Sequence, residues 1–221
     1  YRLYFQNPAI GGAVNKIMKF ILGTKENMTE YFSPEGEVVP VTIVTAGPVA
    51  VTKIFEKSKD GYNAVQIGFG TKNAKNMNKS VKGHLKDLGN FRYLKEFRID
   101  HEPDVKVGDV FNATDLFKVG DKLQISSLSK GKGFQGVVKR HGFSGGPRSH
   151  GQKHSEREPG SIGGGLRTHV PVGMRMPGRM GGDRITEKNH EVVFLDGENN
   201  VMLINGAIAG RRGSLIEIVS I

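Results

Sequence analysis

The sequence predicts an all-β protein, a barrel or a sandwich of short strands, on two observations. Runs in which β-branched side chains alternate with polar ones have the period of two of a half-buried strand. Gly, Pro and Asp-Gly pairs separate these runs, as tight turns between antiparallel strands require. The 37% hydrophobic content of the 221 residues is sufficient for a core. The runs predicted as strands are, in chain order, residues 19–23, 37–46, 49–55, 62–70, 94–99, 107–113, 119–129, 191–196, 200–206 and 214–221.

The connections between these strands carry signals of their own. Asp60-Gly61 opens the fourth strand, and Asp196-Gly197 is typical of a hairpin turn. The Val-Gly-Asp sequences at 107–109 and 119–121 predict two similar tight corners. The stretch NAKNMNKSVKGHLKDLG is basic, mostly polar and weakly helical, so we expect a small insertion at about 73–90 with one or two helical turns.

The start of the chain is set apart from the fold. LYFQ at residues 3–6 resembles the remnant of a protease site, although Asn7 is unusual after such a site. Residues 1–17 are therefore expected to be a tag remnant or a native N-terminal extension, and they lack the charged and apolar regions of a secretory signal. The barrel domain is predicted at residues 18–129 and 185–221.

A long interruption of the strand pattern, residues 130–184, holds most of the positive charge. Its 55 residues include 11 Lys and Arg, 3 acidic residues, 4 of the 7 histidines and 15 of the 31 glycines, a net charge of +8 out of +10 for the chain. The other 166 residues together carry only +2. Such a concentration indicates a polyanionic partner. Nucleic acid is favoured over membrane lipid, because no run approaches about 18 apolar residues and no basic amphipathic helix stands out.

This segment has too few apolar side chains to offset the entropy of ordering its backbone. A structureless loop of this length within a compact domain is uncommon unless it is a binding loop that becomes ordered on its target. We therefore expect residues 130–184 to form an extended arm that binds nucleic acid.

Enzymatic functions are disfavoured by the motifs. GKGFQG matches a dinucleotide-binding pattern through Gly131, Gly133 and Gly136, with Glu156 twenty residues on, but VVKRHGFSGGPRSHG is too rich in Gly and Pro to supply the required helix. These glycines are expected instead to let the backbone approach another backbone closely. No serine lies in a nucleophile-elbow motif, and the absence of cysteine excludes disulfides, thiol catalysis and cysteine-ligated zinc.

The histidines and aromatic residues of the arm leave alternatives open. His141, His150, His154 and His169 could suggest a metal site, but Gly and Pro around them prevent a helix from aligning them, so contacts to phosphate, sugar or bases are favoured. Phe134 and Phe143 either stack on bases or anchor the root of the arm. Methionines 174, 176 and 180 are expected to fill gaps where the arm returns to the barrel.

Four motifs in order make the chain resemble a known family. SKGKGFQGVVKRHGF, SHGQKHSEREPGSIGG, MRMPGRMGGDRIT and NNVMLINGAIAGRRGSL are similar to the universal large-subunit ribosomal protein three family, in its bacterial type, from about Met18 to the C-terminus. The resemblance implies a translation-factor-like β-barrel with a long, irregular basic loop threaded through rRNA toward the peptidyl transferase centre. It also implies early assembly of the large subunit and no covalent chemistry.

The resemblance and the charge together assign candidate site residues. Pro159, Gly160, Ser161, Ile162, Gly163 and Gly164 would form the loop tip nearest the peptidyl transferase centre. The residues expected to bind rRNA are Lys130, Lys132, Phe134, Lys139, Arg140, His141, Phe143, Arg148, His150, Lys153, His154, Arg157, Ser161, Arg167, Arg175, Arg179 and Arg184.

Individual residues depart in two ways from what is expected of a family member that binds rRNA. Many bacterial relatives carry a methylated glutamine just after Gly-Ser-Ile-Gly, whereas this chain has Gly164, so that modification is impossible here. Glu156 and Glu158 are unusual near phosphate, and we expect them to pair with Arg157, Lys153 or another arm cation, or to contact hydrated Mg²⁺.

The function implied is that of a structural constituent of the large ribosomal subunit in the cytoplasm. Its partners would be 23S rRNA and neighbouring large-subunit proteins, with no membrane, no small-molecule substrate and no cofactor other than Mg²⁺ associated with rRNA. A free-standing RNA-binding regulator or chaperone that uses the same arm is the alternative.

Overall fold

The computed structural model describes residues 19–99, 105–166 and 168–221, without the side chain of Asp87. The predictions for residues 1–17 and Met18 lie outside these ranges. The described strands are β1 (Phe20–Phe32), β2 (Val38–Ala46), β3 (Val49–Phe55), β4 (Ala64–Thr71), β5 (Phe91–Arg98), β6 (Val110–Phe111), β7 (Lys122–Leu128), β8 (Gly133–Gln135), β9 (Gly178–Met180), β10 (Arg184–Asp196), β11 (Val201–Asn205) and β12 (Leu215–Ser220). The α-helices are α1 (Lys57–Asp60), α2 (Lys79–Leu85), α3 (Ala113–Leu116) and α4 (Val137–His141), with 3₁₀ turns at Ala74–Asn76 and Lys86–Leu88.

Six strands close into a barrel in the order β1-β12-β7-β10-β11-β2, which confirms the all-β prediction. The register places Ile21 opposite Ile218 and Val44 opposite Met202, and all four side chains are buried. Side chains of successive strand residues alternate between the two faces of a sheet, so the alternating apolar residues of these strands meet inside the barrel. Their burial supplies the main hydrophobic contribution to stability.

A second sheet, in the order β5-β4-β3-β6, belongs to the same hydrophobic core. The rings of Phe20 in β1 and Phe97 in β5 stack with centroids 4.1 Å apart. Buried Val51 and Ile67 face each other across β3 and β4. The insertion predicted at about 73–90 contains α2 and both 3₁₀ turns, in agreement with the expected one or two helical turns.

The two Val-Gly-Asp corners are built alike. In each, the Asp side chain accepts a hydrogen bond from the backbone N–H of the lysine three residues earlier, at 2.8 Å for Lys106 and Asp109 and 3.1 Å for Lys118 and Asp121. The glycines have φ values of +99° and +90°, which an L side chain rarely adopts. The repeated sequence therefore specifies the repeated turn, as predicted.

Several element boundaries differ from the prediction. The strand expected at 107–113 is reduced to β6, because a turn precedes it and Asn112 and Asp115 form a capping box that starts α3. β1 continues nine residues beyond the predicted end at Gly23, and β10 begins at Arg184 rather than Glu191. Both added stretches are mostly polar, although the one in β1 includes Met28, Tyr31 and Phe32, and ladder pairing rather than regular apolar alternation makes them strands.

The chain divides into two compact units. One comprises residues 19–127 and 185–221, with the gap at 100–104, and contains the barrel and the second sheet; the other is Leu128–Arg184, described except for Arg167. None of the helices in the described ranges has the length and apolar character to cross a membrane.

Candidate nucleic-acid interface

The root of the unit Leu128–Arg184 is a two-stranded ribbon. β8 pairs antiparallel with β9, so that Phe134 lies opposite Arg179, and the Lys132 N–H donates to the Met180 carbonyl at 2.9 Å. The Ser129 N–H donates to the Asp183 carbonyl at 2.9 Å and extends the pairing. Side chains opposite each other in a ladder lie on one face, so the Phe134 ring and the Arg179 cation share a face of the ribbon.

Close approach of the two limbs explains one glycine in this ribbon. Gly181 has a φ of +76°, and a Cβ added there would overlap the Lys130 carbonyl oxygen. By contrast, no atom of the described residues lies within 4 Å of a Cβ added at Gly131, Gly133 or Gly136. Close approach of these three glycines to another backbone therefore stays a prediction about contacts outside the described chain.

The short helix α4 follows the ribbon, a helix that the sequence analysis did not predict. Val137 is fully buried at its start, and Gly142, in the left-handed conformation, ends it after five residues. The Arg140 guanidinium donates to the Met176 carbonyl at 2.6 Å, and His141 Nε2 lies 3.0 Å from the same oxygen. Because a carbonyl only accepts, His141 donates through Nε2. These two residues of the predicted set therefore join the descending and returning limbs.

Phe143 is enclosed by cationic and aromatic neighbours. The Arg175 guanidinium carbon lies 5.0 Å from its ring centroid, and the His141 ring centroid lies 6.0 Å away. Phe134, in contrast, is 77% exposed. The two phenylalanines therefore differ: Phe143 packs within its own unit, whereas the ring of Phe134 is exposed.

A backbone contact holds the next part of the arm. The Gly146 N–H donates to the Glu156 carbonyl at 2.9 Å, and a Cβ at Gly145, which has a φ of +74°, would overlap that carbonyl oxygen. Arg148 Nε lies 3.5 Å from Glu156 Oε2. Glu156 therefore pairs with an arm cation, as expected, although with Arg148 rather than Arg157 or Lys153.

The predicted loop tip, Pro159–Gly164, contains no charged side chain. The Ser161 hydroxyl donates to the Gly163 carbonyl, and Ile162 is 39% exposed. An open cleft of about 530 Å³ borders the tip and is lined by Phe143, Glu158 and Arg175 among others. A second cleft, of about 280 Å³, lies beside the helical insertion and not at the tip. Apart from Pro159 and Ile162, the tip consists of glycine and serine, so it is uncharged and has few bulky side chains.

The remaining predicted site residues are mostly exposed. The cations and histidines with exposed side chains are Lys130, Lys132, Lys139, Arg148, His150, Lys153, His154, Arg157, Arg175, Arg179 and Arg184. Met174, Met176 and Met180 are half-buried. Arg167 lies outside the described residues. Within the described ranges, no three His, Asp or Glu side chains form a group that could hold a metal ion.

A second basic surface was missed by the sequence analysis. Residues 72–92 contain Lys72, Lys75, Lys79, Lys82, Lys86 and Arg92 against the single acid Asp87. Their net charge of +5 was hidden in the average of +2 outside residues 130–184, which leaves −3 for the rest of the chain. A count over short windows would have found it.

The helix α2 presents part of this basic surface. Lys79 and Lys82 are exposed and lie three residues apart, which places them on one side of the helix, and exposed Lys86 follows at its C-terminal cap with a φ of +49°. Buried Leu85 anchors the helix, and His84 Nε2 hydrogen-bonds Gln66 Oε1 of β4 at 2.7 Å. Among the described side chains, none of the six cations of residues 72–92 has an ion-pair partner.

Comparison with known proteins identifies the family. Residues 94–203 match the model of the family described as ribosomal protein L3. Proteins named large ribosomal subunit protein uL3 from Herpetosiphon aurantiacus and Desulfitobacterium hafniense are 46% and 44% identical to this chain, each over 90% of it and 94% of the relative. A protein named uL3c from Porphyra purpurea is 42% identical over 90% of this chain and 97% of its own length. Because these identities extend over nearly the whole length of both partners, the chain belongs to the ribosomal protein L3 family.

Proposed function

We propose that the protein is a structural constituent of the large ribosomal subunit in the cytoplasm, that it binds 23S rRNA and nucleates subunit assembly, and that its arm extends toward the peptidyl transferase centre. The observation that carries the proposal is the arm itself: residues 130–184 combine a charge of +8 with a row of exposed cations, in a member of a ribosomal family. The family is one of structural ribosome components, so no catalytic role is assigned.

The basic residues of the arm divide into two groups with different roles. Arg140 and His141 donate hydrogen bonds to the Met176 carbonyl and thereby join the two limbs of the arm. Exposed Lys132, Lys139 and Arg179 have no described internal partner that neutralises their charge, so they are suited to phosphate oxygens. Such contacts position the protein on RNA without specifying a base.

Phe134 is suited to stack on an unpaired base. Its ring is exposed and lies opposite Arg179, so one face of the ribbon offers a π surface for the base and a cation for the adjacent phosphate. Stacking of this kind contributes about 1–3 kcal/mol per base. We therefore assign Phe134, rather than Phe143, the base-stacking role.

The uncharged tip is suited to a narrow passage rather than to strong binding. A passage between RNA strands is confined by their backbones, and glycine, which has no Cβ, lets the protein backbone approach them most closely. Pro159–Gly164 has that composition. In the proposed function, the tip adjusts the peptidyl transferase centre, and the charged root supplies the affinity.

The basic insertion is proposed as a second phosphate-binding surface. Lysine side chains are point charges that suit phosphates more than base edges. The insertion and the arm then contact rRNA from two separate parts of the sequence, which is the property expected of a protein that joins RNA segments early in assembly.

Co-sedimentation and reconstitution test the proposal. In a gradient at high magnesium, the protein is expected to travel with large subunits and to bind 23S rRNA in preference to an unrelated RNA of equal length at the same salt concentration. Omission of the protein should stall reconstitution at an early precursor. A protein that stays at the top of the gradient, or that binds both RNAs equally, would support a free-standing RNA-binding regulator instead.

A further inference from the structure

The hairpin of β1 and β2 ends in a ribbon whose net charge is negative, whereas the chain as a whole is positively charged. Residues 26–45 contain four glutamates, Glu26, Glu30, Glu35 and Glu37, and no Lys, Arg or Asp. A stretch of charge −4 in a chain of charge +10 is repelled by phosphate wherever it is exposed. We call residues 26–40 the acidic ribbon.

The outer part of the acidic ribbon has no sheet on either side among the described strands. β1 pairs with β12 only over Phe20–Thr24, and β2 pairs with β11 only from Val41 onward, with one further bond from the Gly206 N–H to the Pro40 carbonyl. Phe32 pairs with Val38 and Tyr31 with Val39 beyond these limits. The Tyr31 ring stacks on Phe194 of β10 with centroids 6.3 Å apart, which ties one face of the ribbon to the barrel. A two-stranded ribbon without flanking strands is still only marginally stable in water, so a partner that covers the opposite face would stabilise it.

One face of the ribbon carries large exposed apolar side chains. Met28, Glu30 and Phe32 alternate along β1 and therefore lie on the same face, with Val38 directly opposite Phe32. Phe32 is 67%, Val38 54% and Met28 42% exposed. An aromatic and aliphatic cluster of this kind is typical of the centre of a protein–protein interface.

Most of the glutamate carboxylates near this cluster form no described ion pair and are available to a partner. Glu26 lies 3.9 Å from Arg212 and accepts a hydrogen bond from Thr45. Glu30, Glu35 and Glu37 have no ion-pair partner among the described side chains. Carboxylates at the rim of an apolar cluster complement a partner that is both basic and apolar.

From these observations we infer that the acidic ribbon docks a basic, partly apolar segment of a second protein within the large subunit. The inference rests on the proposed function, because the subunit supplies that partner. RNA is disfavoured by like charge, and the basic arm of this chain is assigned to rRNA. The ribbon thus contacts protein, whereas the arm and the insertion contact RNA.

Photo-cross-linking in assembled subunits tests the inference. Large subunits containing the variant Phe32→p-benzoylphenylalanine are irradiated, and the adducts are identified by mass spectrometry. An adduct to a Lys- and Arg-rich segment of another protein is expected. Adducts only to rRNA or to a second copy of this chain, or no adduct at all, would overturn the inference while leaving the proposed function intact. Absence of the chain from large subunits would overturn both.

A matched pair of variants measures the contribution of the surface. Phe32→Ser with Val38→Ser is expected to lower the affinity of the isolated chain for the protein identified by cross-linking by about tenfold or more. Val107→Ser with Val119→Ser is the control, since these valines are 53% and 62% exposed on turns. Equal affinities of the two variants would contradict the inference.

A charge variant tests the same surface without changing an apolar side chain, so that loss of folding cannot explain weaker binding. Glu35→Gln with Glu37→Gln changes exposed side chains that form no described ion pair, so the thermal transition should stay unchanged. We expect weaker binding to the same partner and a smaller dependence of that binding on salt. A salt dependence equal to that of the wild type would show that the carboxylates do not face a basic segment.

Discussion

Arg140 and Arg179 carry the same charge within one arm, and their contacts give them different roles. Arg140 is half-buried and donates to the Met176 carbonyl, whereas Arg179 is exposed and lies opposite Phe134. A cation already satisfied by the protein has little to gain from a phosphate, while an exposed one releases counterions when it binds RNA. Local contacts therefore decide which basic residues are available to RNA.

The two arginines should respond differently to substitution. We expect Arg179→Ala to flatten the log-log dependence of rRNA affinity on salt by about one unit, from a wild-type slope on the order of −5 to −9. Arg140→Ala should leave that slope nearly unchanged and instead loosen the arm, because the Met176 carbonyl loses one of its two donors and keeps only His141. Filter binding across a salt series measures the slope, and hydrogen exchange measures the arm. Identical slopes for wild type and Arg179→Ala would place Arg179 off the RNA.

A substitution at the tip should separate function from affinity. Gly164→Val adds bulk where the narrow passage is proposed, although a Cβ at Gly164 meets no atom within 4 Å among the residues that the structure describes. We therefore expect normal folding and normal subunit occupancy, with altered peptidyl transfer or altered sensitivity to drugs that act at that centre. Val172→Ala, an exposed site elsewhere in the arm, is the control. Normal peptide-bond formation and drug response in fully occupied Gly164→Val ribosomes would refute the placement of residues 159–164.

At the scale of elements, short polar motifs specify local geometry that hydrophobic patterns do not. The Asp196 side chain accepts hydrogen bonds from the Asn199 side chain at 2.7 Å and from the Glu198 and Asn199 N–H groups at 3.0 and 3.4 Å, which closes the turn between β10 and β11. These bonds, that of the Asn199 side chain first, lower the pKa of Asp196 below its usual 3.8. The same chemistry builds the two Val-Gly-Asp corners.

The turn should respond to acid in a defined direction. A carboxyl whose pKa is lower in the folded state stabilises that state above its unfolded pKa and loses the contribution as the pH falls through its folded pKa. We expect the wild type to melt at a higher temperature than Asp196→Ala by the same margin at pH 7 and pH 5, with the margin shrinking below pH 3.8. Thermal melts at several pH values measure it, and a margin that persists at pH 2 would show that the ionised carboxylate is not responsible.

The helical insertion should contribute to RNA binding through charge alone. Replacing Lys79, Lys82 and Lys86 with Gln removes three exposed cations, and we expect the salt slope to flatten by about two to three units if each contacts a phosphate. The control replaces Lys106, Lys118 and Lys122, which are also exposed and lie outside residues 72–92. Equal slopes for both triple variants would reduce the insertion to a structural element.

At the scale of the whole molecule, the two units differ in what holds them together. The barrel unit buries a continuous apolar core, whereas Leu128–Arg184 depends on one short ribbon, a five-residue helix and a few backbone bonds. Segments with few buried apolar contacts open at low free-energy cost. The arm is therefore the part of the molecule that should gain most order from its target.

Limited proteolysis should expose this difference. In the free protein, we expect trypsin to cut first between Lys130 and Arg184, and within that range after exposed Lys153 or Arg157 before Arg140, which the Met176 carbonyl engages. Binding to 23S rRNA should protect the whole segment. Protection of residues 130–184 in the absence of RNA would contradict the role assigned to the arm.

Sequence alone determined the all-β class, the Val-Gly-Asp corners, the helical insertion and the basic arm, because alternation, turn residues and charge are local properties. The family followed from four motifs, since each motif is a continuous run of residues that can be compared directly. Tertiary structure decided what depends on neighbours distant in sequence. It engaged Arg140 and Phe143 in contacts within the arm while leaving Arg179 and Phe134 exposed, and it paired Glu156 with Arg148. Ladder pairing also extended β1 through mostly polar residues into the acidic ribbon. Burial, pairing and exposure arise only when the chain folds, so no local pattern could have assigned them.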